Sequence, residues 1–235
     1  MRPEAYAEMR ALEERHWWFR GRRALLHALL RRMGAAERAR VLDAGCGTGR
    51  NLLEFGGVGV DPAPEAVAAC RARGLDVVQA GLDALPFDTG SFDLLLATDV
   101  LEHVDDDAGA LRELRRVAAP GAVLLVTVPA HPSLWSGHDE ALHHRRRYRR
   151  AELLGRMRAA GWEPVVVTWW NCLLLPVVAL ARRRPGGAAD HNRTPGWADR
   201  VLVLPLAVEA WLVGRGVRLP AGVSLAVAAQ PKAQA

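Results

Sequence analysis

The stretch VLDAGCGTGRN, residues 41–51, constrains this chain more than any other. Val41 to Ala44 reads as a short apolar strand running straight into a loop with glycine at 45, 47 and 49. Glycine lets the backbone turn sharply and approach a ligand more closely than a Cβ would allow. In nucleotide-binding α/β folds such a loop lies outside the carboxyl ends of the strands, where the ligand sits. The spacing is GxGxG, not the GxGxxG of dinucleotide enzymes. Asp43 stands just inside the loop, where a carboxylate repels a pyrophosphate and attracts a cation. The ligand that fits carries a sulfonium and an amino acid tail rather than a diphosphate.

Around the loop the chain alternates. Val58–Val60, Val77–Ala80, Phe92–Thr98 and Ala122–Val128 read as further strands, and 163–170 as a sixth. Pro64–Arg73, Asp105–Ala118 and Ala151–Ala160 read as helices between them. Strands alternating with helices imply right-handed βαβ units and a parallel sheet. Ahead of them, residues 4–33 read as one proline-free helix that contains HWWFRGRR, 16–23. Asp43, Asp61, Asp83 and Asp99 fall at the ends of successive strands. Any one of them is equally well a helix N-cap; the set, together with GCGTG, points to a ligand. Asp61 suits a ribose, whose two hydroxyls a carboxylate can accept. Asp83 suits an adenine amino group.

VLDAGCGTG, GVDPAPEAV, GLDALPF, SFDLLLATDVLEHV and APGAVLLVTVP resemble the successive motifs of class I S-adenosylmethionine-dependent methyltransferases, within the broad small-molecule group (type 11-like). The resemblance covers roughly 40–170. It implies a Rossmann-like, doubly wound seven-stranded sheet whose last strand, expected at 223–229, is antiparallel and lies between strands five and six. It divides one domain, 1–235, into an N-terminal helical cap (1–39), a cofactor-binding core (40–170), an apolar helical insertion (171–222) and the last strand. It also implies S-adenosylmethionine as cofactor. Gly45, Gly47 and Gly49 would line its methionine and ribose portions, with Asp43 beside them. Asp61 and Pro62 would meet the ribose, Asp83 and Ala84 the adenine, and Asp99 would complete the cofactor set. Only eleven residues separate Gly49 from Asp61, so the first core helix is expected to be short.

Methyl transfer from a sulfonium is an in-line displacement with an activated leaving group, so the protein must chiefly align the reactants and exclude water. A hydroxyl acceptor also gains from a base. His103, in LEHV beyond strand four, is either that base or a residue packed beneath the cofactor. SGHDEALHHRRRYRR, 136–150, follows strand five on the same rim. His138 and Asp139 are candidates for an oriented base, and His144, Arg146, Arg147 and Tyr148 for an acceptor pocket. The HD…HxRRY pattern and HWWFxxRR together resemble one subgroup of these enzymes. Trp17, Trp18 and Phe19 either cover the site or staple the first helix to the sheet. No spacing among His138, Asp139, His143 and His144 matches a zinc pattern, so no metal is expected.

The segments CLLLPVVALA and VLVLPLAVEAWLV, 10 and 13 residues long, are too short to span a bilayer. With flanking tryptophans and arginines they suit either an interfacial hairpin or a lid or dimer face. The first choice would favour an acceptor with a lipid tail and a place at the inner face of the membrane. The charged N-terminus has no apolar h-region, and Cys46, Cys70 and Cys172 lack CxxC spacing. A reducing cytoplasm is the default. A net charge of +5 leaves RNA methylation as an alternative acceptor reading, without an NPPY-like motif to support it. A non-catalytic cofactor-binding protein is a further alternative. The expected activity is methyl transfer to an oxygen of a small-molecule or lipid-linked acceptor.

Overall fold

A computed structural model of the chain describes residues 10–35, 40–182 and 196–232. The expected helix start at 4–9, the end of the cap at 36–39 and the polar connection at 183–195 lie outside the described residues. Seven strands form one sheet: β1 (Val41–Ala44), β2 (Val58–Asp61), β3 (Asp76–Gln79), β4 (Phe92–Thr98), β5 (Ala118–Pro129), β6 (Trp162–Trp170) and β7 (Ser224–Pro231). Their order is β3-β2-β1-β4-β5-β7-β6, with β7 antiparallel to both neighbours. This is the sheet the motifs imply. β4 and β5 are buried on both faces, as a near-continuous apolar run in a parallel sheet should be. The strand order reverses between β1 and β4, which places a binding crevice at their carboxyl ends.

Helices cover both faces: α1 (Trp17–Arg32), α2 (Arg50–Phe55), α3 (Pro64–Arg71), α4 (Asp107–Val117), α5 (Gly137–Ala141), α6 (Arg150–Ala159), α7 (Leu175–Arg182) and α8 (Gly196–Gly214). α2 is short, as its eleven-residue allowance requires. The long N-terminal helix is corrected. The chain breaks at residues 13–16 and restarts at Trp17, with His16 as N-cap accepting from the Trp18 N–H. β5 begins before the apolar run because Ala118 pairs with Phe92 ahead of a register shift.

The insertion supplies a structural layer. Leu206, Ala210 and Val213 of α8 pack with Leu25, Leu26 and Leu29 of α1 against Leu94, Leu96, Val123 and Leu125 of the sheet. Gly21 makes that approach possible, since a Cβ there would lie 2.4 Å from Leu206 Cδ1. Asp199, in the first turn of α8, accepts from the Trp17 N–H at the positive end of α1. Glu209 is fully buried and accepts the Cys172 and Leu173 N–H groups, tying α8 to the chain leaving β6.

Candidate active site

The loop after β1 is held by its own backbone. Gly45 and Cys46 donate to the Val60 carbonyl, and Gly45, Gly47 and Gly49 all have positive φ. At Gly45 the absence of a side chain is obligatory: a Cβ would stand 2.3 Å from Val100 Cγ2. Asp61, at the end of β2, receives the Gly47 N–H at 3.0 Å and the Ala63 N–H at 2.9 Å. Burial raises its pKa, and those two bonds oppose the rise. Asp43 is buried and accepts from Asn51 Nδ2 at 3.1 Å, and Asn51 also reaches Thr98. Asp43 Oδ2 and Asn51 Oδ1 are buried without a partner among the described residues. Burial pushes the Asp43 carboxyl up to about 6, where its charge awaits a cation. Asp83 and Ala84 are exposed on the rim. The residues of this crevice fit the cofactor that the motifs imply.

Four partners were not legible from sequence spacing. Glu13, just ahead of α1, sits on the glycine loop: it pairs with Arg73 at 2.6 Å and accepts from the Thr48 hydroxyl. Arg73 also donates to the Thr48 carbonyl, and Arg23 to the Glu13 carbonyl. Arg22 of α1 reaches Asp99 at 2.7 Å. Asp99 has φ of 53° and takes the Thr127 hydroxyl on its other oxygen. The carboxylate, expected to complete the cofactor set, ties α1 to the ends of β4 and β5. Trp18 packs on Trp170, centroids 4.6 Å apart, and Trp17 meets Trp18 edge-on. Trp18 thus staples α1 to the sheet.

The run after β5 folds inward. Asp139 is fully buried and binds His144 Nδ1 at 2.9 Å, Arg147 Nε at 2.8 Å and the Ser136 N–H. Asp139, expected to form an oriented base with His138, is bonded to His144 and to Arg147. Burial alone would raise Asp139, but His144 and Arg147 hold it below the usual carboxylate range. Arg147 is buried and also donates to the Ala130 carbonyl. Tyr148 is buried, donating to Asp107 at 2.6 Å, and Arg146 reaches Asp107 and the Asp105 carbonyl. Of these three side chains, each expected to face the acceptor, Arg147 and Tyr148 are buried and Arg146 is partly exposed. His103 stands beside His144, ring centroids 4.9 Å apart, next to buried Glu102. Burial, then His144, lowers His103 to about 4, so its imidazole is neutral at pH 7.

The model of the methyltransferase domain family matches residues 42–126. A protein of Mycolicibacterium smegmatis described as a probable S-adenosylmethionine-dependent methyltransferase is 33% identical over 161 residues, 65% of this chain and 62% of that protein. A ubiquinone biosynthesis O-methyltransferase of Xanthomonas oryzae is 35% identical over 137 residues, 50% of this chain and 57% of that one. The chain thus spans less than two thirds of these relatives. Among solved structures, an S-adenosylmethionine-dependent methyltransferase of Thermotoga maritima shares the fold, with a TM-score of 0.63 at 20% identity over 97% and 99% of the two chains. A chain from the Haloferax volcanii complex of the Trm112 methyltransferase activator with a methyltransferase gives 0.65 at 24% identity, over 99% and 96%. Matched motifs, sheet order and glycine loop agree: residues 42–126 are similar to the methyltransferase domain family, and the fold is the one shared by S-adenosylmethionine-dependent methyltransferases.

Proposed function

We propose that the chain transfers the methyl group of S-adenosylmethionine to an oxygen of a small-molecule or lipid-linked acceptor. The observation that carries this reading is the place of the His103 imidazole, in the turn beyond the carboxyl end of β4 and beside His144, on the rim beyond the glycine loop. Asp61 would hold the ribose and Asp43 the cationic portion of the cofactor, while Asp83 and Ala84 would border the adenine. His103 would take the proton of an acceptor hydroxyl as the oxygen attacks the methyl carbon and the sulfur departs. A base with a pKa of about 4 is weak, so alignment and exclusion of water contribute most of the acceleration. Tritiated-methyl transfer into a fractionated lysate tests the acceptor class: label is expected in lipids or small metabolites. Label confined to RNA would overturn it.

Asp43 gives the cofactor affinity a pH dependence. With its carboxyl near 6 in the free protein, binding a cation beside it below that pH must expel a proton. Affinity is expected to fall about tenfold per pH unit below about 6, and Asp43→Asn to flatten the profile. Calorimetry between pH 5 and 7.5 reads it, and a flat parent profile would remove the cation role.

The lipid-linked option rests on the outer face of the insertion. Val201, Leu204, Val208 and Trp211 form one exposed stripe on α8, with Trp197 ahead of it. Leu173, Val177 and Leu180 are exposed on and just before α7. Arg200, Arg215 and Arg218 are exposed beside them, whereas Asp199 and Glu209 are turned inward. Such a face suits an anionic lipid surface, and its cationic rim would repel a second copy of itself. No helix of the described residues is long and apolar enough to cross a membrane. Leu204→Asp is expected to weaken flotation with anionic vesicles about tenfold, from the apolar burial lost. Equal flotation of variant and parent would end the lipid reading.

A further inference from the structure

We propose that Glu102, His103 and His144 form a binding site for one divalent transition-metal ion of the zinc class, on the rim beyond β4. One donor atom from each of the three lies within 4.8 Å of the others. Glu102 and His103 come from the turn at Leu101–His103, and His144 from the segment after α5. Arg145 ties the two segments together, its N–H donating to the Glu102 carbonyl and its Nε to the His103 carbonyl. The donors are therefore held by backbone on both sides.

Glu102 is 1% exposed, and both of its carboxylate oxygens are buried with no hydrogen-bond partner among the described residues. A buried acceptor without a donor costs about 1–3 kcal/mol, and a carboxylate more, so such a group calls for a ligand. The neighbouring cations are engaged elsewhere: Arg22 with Asp99 and Arg147 with Asp139. His144 is prepared in the manner of a metal-bound imidazole. Its Nδ1 is held by Asp139 at 2.9 Å, which fixes the ring and leaves Nε2 for a ligand. Asp139 is fixed in turn by Arg147 and the Ser136 N–H. The buried Asp139 thus acquires a purpose that the acceptor-pocket reading did not supply: it is a positioning residue for His144.

Two imidazoles and one carboxylate are the donor set of open zinc sites, which keep a fourth position for an exchangeable oxygen ligand. With bonds of about 2.0–2.1 Å, tetrahedral donors stand about 3.3 Å apart, so the cluster must contract modestly on binding. Magnesium and calcium, which prefer all-oxygen ligation, fit this set poorly. With the ion bound His103 is a ligand, so the base role proposed above applies to the metal-free protein. If the proposed oxygen acceptor is correct, its hydroxyl would occupy the fourth position of the metal-bound protein, where the ion makes its proton more acidic. The metal site itself does not depend on that reading.

The test uses the full chain stripped with a chelator and titrated with cobalt(II), then zinc(II). The parent is expected to develop cobalt d–d absorption of tetrahedral intensity at one equivalent, displaced by zinc. Glu102→Gln and His144→Ala should each weaken zinc binding at least a hundredfold, while His27→Ala, on the far side of α1, should not. Asp139→Asn should weaken it about 10–100-fold, the effect of losing a ligand's orienting partner. Absence of d–d bands from the folded parent, or one-equivalent binding unchanged in Glu102→Gln and His144→Ala, would overturn the site. Calorimetry with S-adenosylmethionine on the same stripped sample separates the two ideas: cofactor binding without cobalt binding removes the metal and leaves the methyltransferase.

Discussion

Asp61→Ala is expected to bind S-adenosylmethionine two to three orders of magnitude more weakly than the parent, while remaining folded. Asp61 sits at the end of β2 with one oxygen on the Gly47 N–H and the other on the Ala63 N–H. Each carboxylate oxygen has a second lone-pair direction available for a ribose hydroxyl. Hydrogen bonds to a charged acceptor contribute about 1.5–3 kcal/mol each. Two of them at the lower end of that range correspond to about 3–4 kcal/mol, and hence to the stated loss. The same substitution releases Gly47 from its anchor, so part of the effect is disorder of the loop. Asp61→Asn keeps the shape but turns an N–H₂ toward a backbone N–H, and should fall between. Calorimetry gives the affinity and circular dichroism the fold. Unchanged affinity in a folded Asp61→Ala would show that the ribose is held elsewhere.

Legibility of the chain divides along the range of the interactions. The sheet could be read from 41–51 onward because each strand and turn is written locally, in apolar runs and in glycines that only one conformation requires. Asp43, Asp61 and Asp83 could be read as candidates for one site because strand ends share a rim. Long-range pairings could not: Arg22 meets Asp99 across 77 positions, and Thr48 meets Glu13 across 35. Nothing in their spacing announces them. The burial of Arg147 and Tyr148 within HHRRRY was hidden for a related reason. A charged run reads as solvated or as a pocket, yet Tyr148 is drawn inside by a parallel bridge to Ala130, and Arg147 follows it. Pairing with Asp139 and Asp107 makes that burial tolerable. The two sides of α8 were equally hidden. Its residues are apolar nearly all round, and the packing of Leu206, Ala210 and Val213 against α1 and the sheet shows which face turns inward.

Asp139→Ala is expected to cost about 3–5 kcal/mol of stability. The reason is what it leaves behind. Arg147 is 4% exposed and its Nε has Asp139 as partner at 2.8 Å, so removal of the carboxylate strands a buried cation. For a domain of this size the midpoint should fall by roughly 10 °C. The double variant Asp139→Ala, Arg147→Met should recover much of it, because replacing both members of a buried pair avoids the stranded charge. The pH dependence carries the same signature. His144 and Arg147 hold the Asp139 pKa below its unfolded value, so its contribution is fully present above the ordinary carboxylate range. It is lost as pH falls through the folded value, where the native state must finally take up the proton. The parent should therefore lose stability in acid more steeply than Asp139→Ala, and the two melting curves should converge as pH drops. Parallel profiles would mean that Arg147 is held by its bond to Ala130 alone, with Asp139 serving only to orient His144.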